Sequence, residues 1–319
     1  MERDLKNELH KYNMTSPFRK NIGSPKSEEY QLLECMRKIL KQPPREDRTG
    51  AGTHSIFGNN MRFSLDGQFP LITTRRLPLR HIFEELMWFL RGQTDTNILR
   101  EKKINVWNGN TSREFLDSVG LNHYPEGELG SSYGWNMRHF GADFDPELDD
   151  SDYNCMGFDQ LKYVLDLLRT NPTSRRILIS LWNPSTMHQA ALVPCGFCYQ
   201  FYVDFEDGVQ YLSCKTVQRS SDISLAGGWN IASSSLFVYM LAHVTGMKPR
   251  KLIWSTGDTH IYLNQVDGAR EQITREPRPF PTLEIVKDPR DNDICNFEWD
   301  HFKLVDYNPH SRISLTMNV

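Results

Sequence analysis

The sequence predicts a mixed α+β domain, and three observations predict it. Helical and extended stretches are interleaved, but without the strict strand–helix–strand alternation that builds a parallel doubly wound sheet. The stretch HIFEELMWFLR reads as a strongly buried helix and SSSLFVYMLAHVTG as a long one. Two strand-like runs, CYQFYVDF and YLSCKTVQ, are separated by Glu206-Asp207-Gly208, which suits a tight turn. No G-x-G-x-x-G follows any strand, which argues against a dinucleotide site.

Taken in order, MERDLKNELHKYN is charged throughout and cannot be a secretory h-region. Residues 1–28 read as a disordered tail and 29–319 as a single domain. From 28 to about 42, Leu32, Leu33, Met36 and Leu40 fall roughly at helical spacing. PREDRTGAGTHS then reads as a polar loop whose glycines permit close backbone approach to a ligand. Gly92 follows HIFEELMWFLR as a stop signal. FDQLKYVLDLLR is helical up to Asn171-Pro172, and RILISLW reads as a strand. The long helix ends at Gly246 with Pro249 beyond it. The final region mixes short strands with proline-rich loops such as REPRPFP. The chain shows no internal repeat and no low-complexity segment.

The 319 residues are 39% hydrophobic and 24% charged, an ordinary soluble composition with ample core material. A net charge of −3 provides no overall basic field for nucleic acid, which is not required as a partner. No apolar run approaches the ~20 residues that cross a bilayer, so no membrane partner is expected. The six cysteines, with no signal peptide, read as free thiols of a reducing, cytoplasmic compartment; nuclear or organellar presence stays open. Cys195 and Cys198 form one C-x-x-C with no second pair, so neither a zinc site nor any other metal is expected. On a strand, residues three apart point to opposite faces, which also excludes a redox pair.

A few residues suggest chemistry. Cys195 follows proline and precedes glycine, leaving room for a substrate at the sulfur; a small buried hydrophobe is the alternative. Arginines 48, 175, 176 and 219 would favour its thiolate if they converge. Glu85 lies on the helix face of Ile82, Trp88 and Phe89, where a carboxyl pKa rises toward neutrality and suits acid–base catalysis. Its alternative is a buried structural carboxylate. Glu84, four residues after Arg80, is explained as a surface ion pair. Arg175-Arg176 and Arg219-Ser220 suit a phosphate dianion or plain surface charge. Asn230 is either an N-cap or an amide matched to an imide edge. His260 and Tyr262 fall on one face of a strand.

The segments DRTGAGTHSIFG, FPLITTRR, EELMWFL, YGWNMRHFGA, SRRILISLWNP, PCGFCYQFYV, QRSSDISL, WNIAS, GDTHIYLN and REPRPFP resemble the thymidylate synthase family in order and spacing. The match runs from about residue 29 to the C-terminus. The resemblance implies a mixed β-sheet with covering helices, dimerising back to back. It also implies dUMP and 5,10-methylenetetrahydrofolate as co-substrates, with no metal. Cys195 matches the nucleophile that adds to C6, and Glu85 the glutamate that manages protons at O4 and C5 through water. Tyr133 matches the tyrosine linked to C5 deprotonation, and Asp222 the aspartate on the pterin ring. Arg48, Gln218, Arg219 and Ser220 match substrate ligands, with Arg175 and Arg176 donated by the partner subunit of a homodimer. Asn230 matches the reader of N3 and O4, and His260 and Tyr262 the groups on the 3′-hydroxyl. Trp107, Asn110, Leu225, Trp229 and Met317-Asn318-Val319 match the folate pocket.

This chain departs from the pattern at several points. Gly196 stands where the family almost always has histidine, and Ala226-Gly227-Gly228 and Ser131-Ser132 replace proline-containing stretches. Gly196 is expected to open space beside O4, and the two glycines to let the folate loop relax. Three outcomes follow for the function: methylation of dUMP to dTMP, a C5 hydroxymethylase on the same scaffold, or an idle homologue that binds nucleotide or RNA.

Overall fold

A computed structural model describes residues 27–148 and 156–318. Its elements in chain order are α1 (Tyr30–Ile39), β1 (Pro44–Arg45), β2 (Thr53–Ser64), α2 (Leu79–Leu90), α3 (Asn97–Glu101), α4 (Arg113–Ser118), α5 (Tyr133–Arg138) and α6 (Gln160–Thr170). They continue with β3 (Leu178–Ser180), β4 (Gly196–Glu206), β5 (Val209–Asp222), α7 (Gly228–Val244), β6 (Lys248–Tyr262), α8 (Val266–Thr274), β7 (Thr282–Ile285) and β8 (Phe302–Val305). Six strands form one mixed sheet in the order β1-β2-β6-β5-β4-β3, and β7-β8 make a separate pair. Among the described strands only β5 and β6 run parallel, so α7 supplies the crossover that a parallel pair requires.

Each expected helix is present, with local causes. Asp159 caps α6 by accepting from Lys162 N, and Gly92 takes a left-handed φ of 73° just past α2. Asp207 and Gly208, both with positive φ, close the β4–β5 hairpin. Three readings are corrected. PREDRTGAGTHS is not all loop: its end opens the twelve-residue β2, whose Gly58-Asn59-Asn60 centre hides the strand pattern. The region after the long helix begins not with a short strand but with the fifteen-residue β6. Glu84 is buried and pairs with Lys102 at 2.6 Å rather than with Arg80.

Along β4, Phe201 and Val203 are buried, and Tyr199 and Phe201 meet Phe237 of α7 edge-on. The alternate residues Gln200 and Tyr202 are exposed. One face of the sheet therefore carries the core and the other is left uncovered. Glu28 already belongs to this framework: its Oε2 accepts from Ser64 N and Gln68 Nε2. Among the described residues no helix is long and apolar enough to cross a membrane. Cys155 and Val319 lie outside the described residues.

Candidate active site

Cys195 sits on the turn that enters β4, half-buried, with its backbone fixed on both sides. Its N–H donates to Tyr133 Oη at 2.8 Å, and its carbonyl accepts from Arg219 N at 2.9 Å. Tyr133 opens α5 and stacks on Phe89 of α2 at 4.8 Å, with Trp107 edge-on at 5.7 Å. Burial first, then the charges of Cys195 and Glu85, push its phenol well above the usual range. It therefore stays protonated between the thiol and the carboxyl.

Glu85 is 8% exposed, within the apolar face that the sequence places around it. Trp107 Nε1 donates to its Oε1 at 2.9 Å, and Trp229 Nε1 to its Oε2 at 2.6 Å. Burial raises the carboxyl to about 7 despite those two donors. A carboxyl poised there exchanges protons readily in either direction at neutral pH.

On the cationic flank, the Arg219 guanidinium donates to Pro194 O at 2.9 Å and Val193 O at 3.0 Å, over the Trp182 ring. Arg48 is exposed and acts electrostatically on Tyr262, which also senses Cys195. Ser220 sits on β5 opposite Asp258. Arg175 and Arg176 are exposed just before β3, whose Leu178 pairs with Gln200, well along β4 from Cys195. Of the four expected arginines, Arg219 is bonded to the chain at Val193, Pro194 and Cys195, and Arg48 acts on Tyr262, which Cys195 also affects.

Asn230 does not cap a helix. It is the third residue of α7, whose N-cap is Gly227, and its Nδ2 points to Gln218 Oε1 at 3.4 Å. Both amides keep hydrogen-bonding capacity for a planar polar ring edge. His260 exchanges a hydrogen bond with Asp258 at 2.8 Å and meets Tyr262 edge-on, so the two expected residues share a face.

Asp222 accepts from Leu225 N at 3.0 Å through Oδ1 and from Gln265 Nε2 at 2.7 Å through Oδ2. Burial still raises its pKa. Arg75, itself buried, donates to the carbonyls of Ser224 and Leu225 and holds this turn from behind. Asn110 is buried, its backbone N–H bonded to Trp107 O. Met317 is 46% exposed, and Asn318 exchanges amide hydrogen bonds with Asn264.

Two expectations about the departures are corrected. Gly196 opens no space: a Cβ there would lie 2.8 Å from Leu181 Cδ1, because that buried leucine fills the volume. Gly227 and Gly228 do not loosen the loop. Their absent Cβ atoms would meet Ile223 Cδ1 at 2.8 Å and Ile72 Cδ1 at 2.5 Å, so they permit tight seating. Sequence reasoning missed Asp258, Trp182, Arg75, Gln265 and Glu128. Asp258 carried a signal, two residues before His260 on one strand. Glu128, raised by burial to about 7, accepts from Gly130 N and anchors the turn leading to Tyr133; nothing local marks it.

A thiol on a fixed turn, with a carboxyl of neutral pKa beyond an aromatic wall, defines a nucleophilic, acid–base enzyme site. The thymidylate synthase family model matches residues 30–319. Thymidylate synthase of Human herpesvirus 8 is 47% identical over 293 residues, covering 92% of this chain and 85% of its own. That of Saccharomyces cerevisiae is 46% identical over 304 residues, 93% of this chain and 99% of its own. The Homo sapiens enzyme is 44% identical, with 92% of each chain covered. A bifunctional dihydrofolate reductase-thymidylate synthase of Zea mays is 46% identical, but the match spans 55% of its length. The chain belongs to the thymidylate synthase family.

Proposed function

We propose that this protein methylates dUMP at C5 to dTMP, using 5,10-methylenetetrahydrofolate as co-substrate. The observation that carries the reading is Glu85, raised to about 7 between Trp107 and Trp229 and adjoining the Tyr133–Cys195 hydrogen bond. C5 of a uracil is unreactive until a nucleophile occupies C6. Cys195 Sγ forms that C6–S bond, and the displaced electron pair makes C5 and O4 an enolate. Glu85, through water, supplies and withdraws the proton at O4. Tyr133, as a neutral phenol, orients the water that takes up the C5 proton, and the C6–S bond then breaks, its electron pair returning to sulfur as the thiolate. Bound 5,10-methylenetetrahydrofolate supplies the one-carbon unit and the hydride. The names of the relatives favour this methylation over hydroxymethylation.

Arg48, Arg219 and Ser220 hold the phosphate, Gln218 and Asn230 the base, and His260 and Tyr262 the sugar hydroxyl. The folate side fits this chain. Trp107, Asn110, Leu225, Trp229, Met317 and Asn318 would line the folate pocket with Asp222, whose carboxylate, bonded to Leu225 N and Gln265 Nε2, keeps unused lone pairs for a pterin. Ser221 Oγ and Ser224 Oγ are buried without a partner among the described residues. Arg175 and Arg176 complete the phosphate site of a partner subunit in a back-to-back homodimer. The uncovered sheet face supports this, with Tyr202 64% exposed. Residues 29–319, together with Glu28, act as one catalytic domain. The free thiols among the described cysteines support a cytoplasmic setting.

The test is the covalent ternary complex with 5-fluoro-dUMP and the folate, read as a mass shift. The adduct should form in the native protein and not in Cys195→Ala. An adduct that persists in the variant would assign the nucleophile to another residue.

A further inference from the structure

Gln265 ends the short helical turn between β6 and α8, is 1% exposed, and uses both hydrogens of one amide. Its Nε2 donates to Asp222 Oδ2 at 2.7 Å and to Thr316 O at 2.8 Å. We propose that Gln265 is a positioning residue that ties the carboxylate of Asp222 to the C-terminal segment, so that the two hold or loosen as one unit. The inference rests on the reading of Asp222 as a folate-facing group.

The amide cannot be turned the other way. Exchanging Oε1 and Nε2 would set an acceptor against both a carboxylate and a carbonyl oxygen, at distances where only a donor is tolerated. Oε1 itself is buried with no partner among the described residues, so the two donor bonds alone fix the side chain. The other oxygen of Asp222 is held by Leu225 N, which leaves the carboxylate no free rotation.

Two further contacts run along the same terminal segment. Asn264 and Asn318 exchange amide hydrogen bonds of 2.8 and 3.2 Å, but at the surface. Gly268 allows Leu315 and Ile313 to pack so closely that a Cβ there would lie 2.5 and 3.0 Å from them. Of these anchors, Gln265 is the one bonded to the carboxylate of Asp222. A buried pair of bonds to one side chain couples its two partners more firmly than exposed contacts that exchange with water.

Gln265→Leu removes both donors without introducing a charge; Gln265→Glu keeps the shape, removes both donors when ionised and sets a second carboxyl against Asp222. Native folding is verified by near-ultraviolet circular dichroism and thermal melting. Three readouts are then taken: carboxypeptidase release of the terminal residues from the ligand-free protein, KM for folate against Kd for dUMP, and the pH profile of kcat/KM for folate. Both variants should lose the terminus about tenfold faster and raise the folate KM by a similar factor, with dUMP affinity within about twofold. Asp222→Ala should also speed release of the terminus, because coupling is reciprocal.

In Gln265→Leu the acidic limb should move to higher pH, since a donor favouring the ionised Asp222 is gone while Arg75, His260 and Tyr262 still face it. Release of the terminus at the native rate in both Gln265 variants, or in Asp222→Ala, would overturn the bridge. Faster release with an unchanged folate KM would uphold the bridge and remove Asp222 from the folate site, so the two readings fail separately.

Discussion

Glu85 and Asp222 are both desolvated carboxyls with raised pKa, yet different parts of the molecule support them. Glu85 projects from α2, ten of whose twelve residues are buried, and two indoles meet its oxygens. Asp222 stands where β5 gives way to a turn, held by one backbone N–H, one amide and a guanidinium bonded to the turn's carbonyls. The first group is placed by core packing, which is stiff and costly to deform. The second is placed by polar bonds, one of them to Gln265, which also holds Thr316, and polar supports of this kind open at less free energy than a packed core. The part of the site around Glu85 is thus prebuilt by core packing, and the part around Asp222 rests on polar bonds.

The hardest test of this contrast is at the prebuilt side. Cys195→Ala should abolish turnover, by at least about 10³-fold in kcat, while dUMP affinity stays within about tenfold. Binding lost together with turnover would mean that the thiol also shapes the site.

Glu85→Gln should lower kcat by roughly 10²-fold. Its stability effect carries a pH signature. Folding raises the carboxyl from 4.5 to about 7, so between those values the folded state holds a proton that the unfolded chain releases. Stability of the native protein therefore falls as pH rises through that window, by at most about 3 kcal/mol. The amide escapes that loss but leaves one indole N–H without an acceptor, a cost of ~1–3 kcal/mol. The Tm difference, variant minus native, should grow more positive from pH 4.5 to pH 8. A difference independent of pH would show Glu85 ionised throughout.

Asn230→Asp should shift relative kcat/KM from dUMP toward dCMP by about tenfold or more, because the mismatched edge leaves buried polar groups unpaired. An unchanged ratio would remove Asn230 from base reading.

The smallest effect is expected at Gly196. Gly196→Ala must displace Leu181 Cδ1 and should cost about 1 kcal/mol, measured by denaturant unfolding. Adding Leu181→Ala should relieve the clash at position 196, and additive costs in the double variant would show that the two positions do not share one volume.

The legible half of the site is the half built on regular periodicity. A carboxylate among Ile82, Trp88 and Phe89 is conspicuous on a helix, and the alternation of His260 and Tyr262 on a strand is equally local. Gln265 was invisible because its role comes from partners 43 and 51 residues away. The reading of Gly196 fails for a related reason: the glycine is local, but the Leu181 side chain that fills its space lies on another segment. Strand β2 escapes because Gly58-Asn59-Asn60 interrupts its centre with residues that cannot show an apolar alternation.

The central claim, transfer of a methyl group to dUMP, is tested most directly by identifying both products. The protein is incubated with dUMP and 5,10-methylenetetrahydrofolate and the mixture is analysed by mass spectrometry. The account predicts dTMP and dihydrofolate in equal amounts. Formation of 5-hydroxymethyl-dUMP with tetrahydrofolate released unoxidised would contradict it.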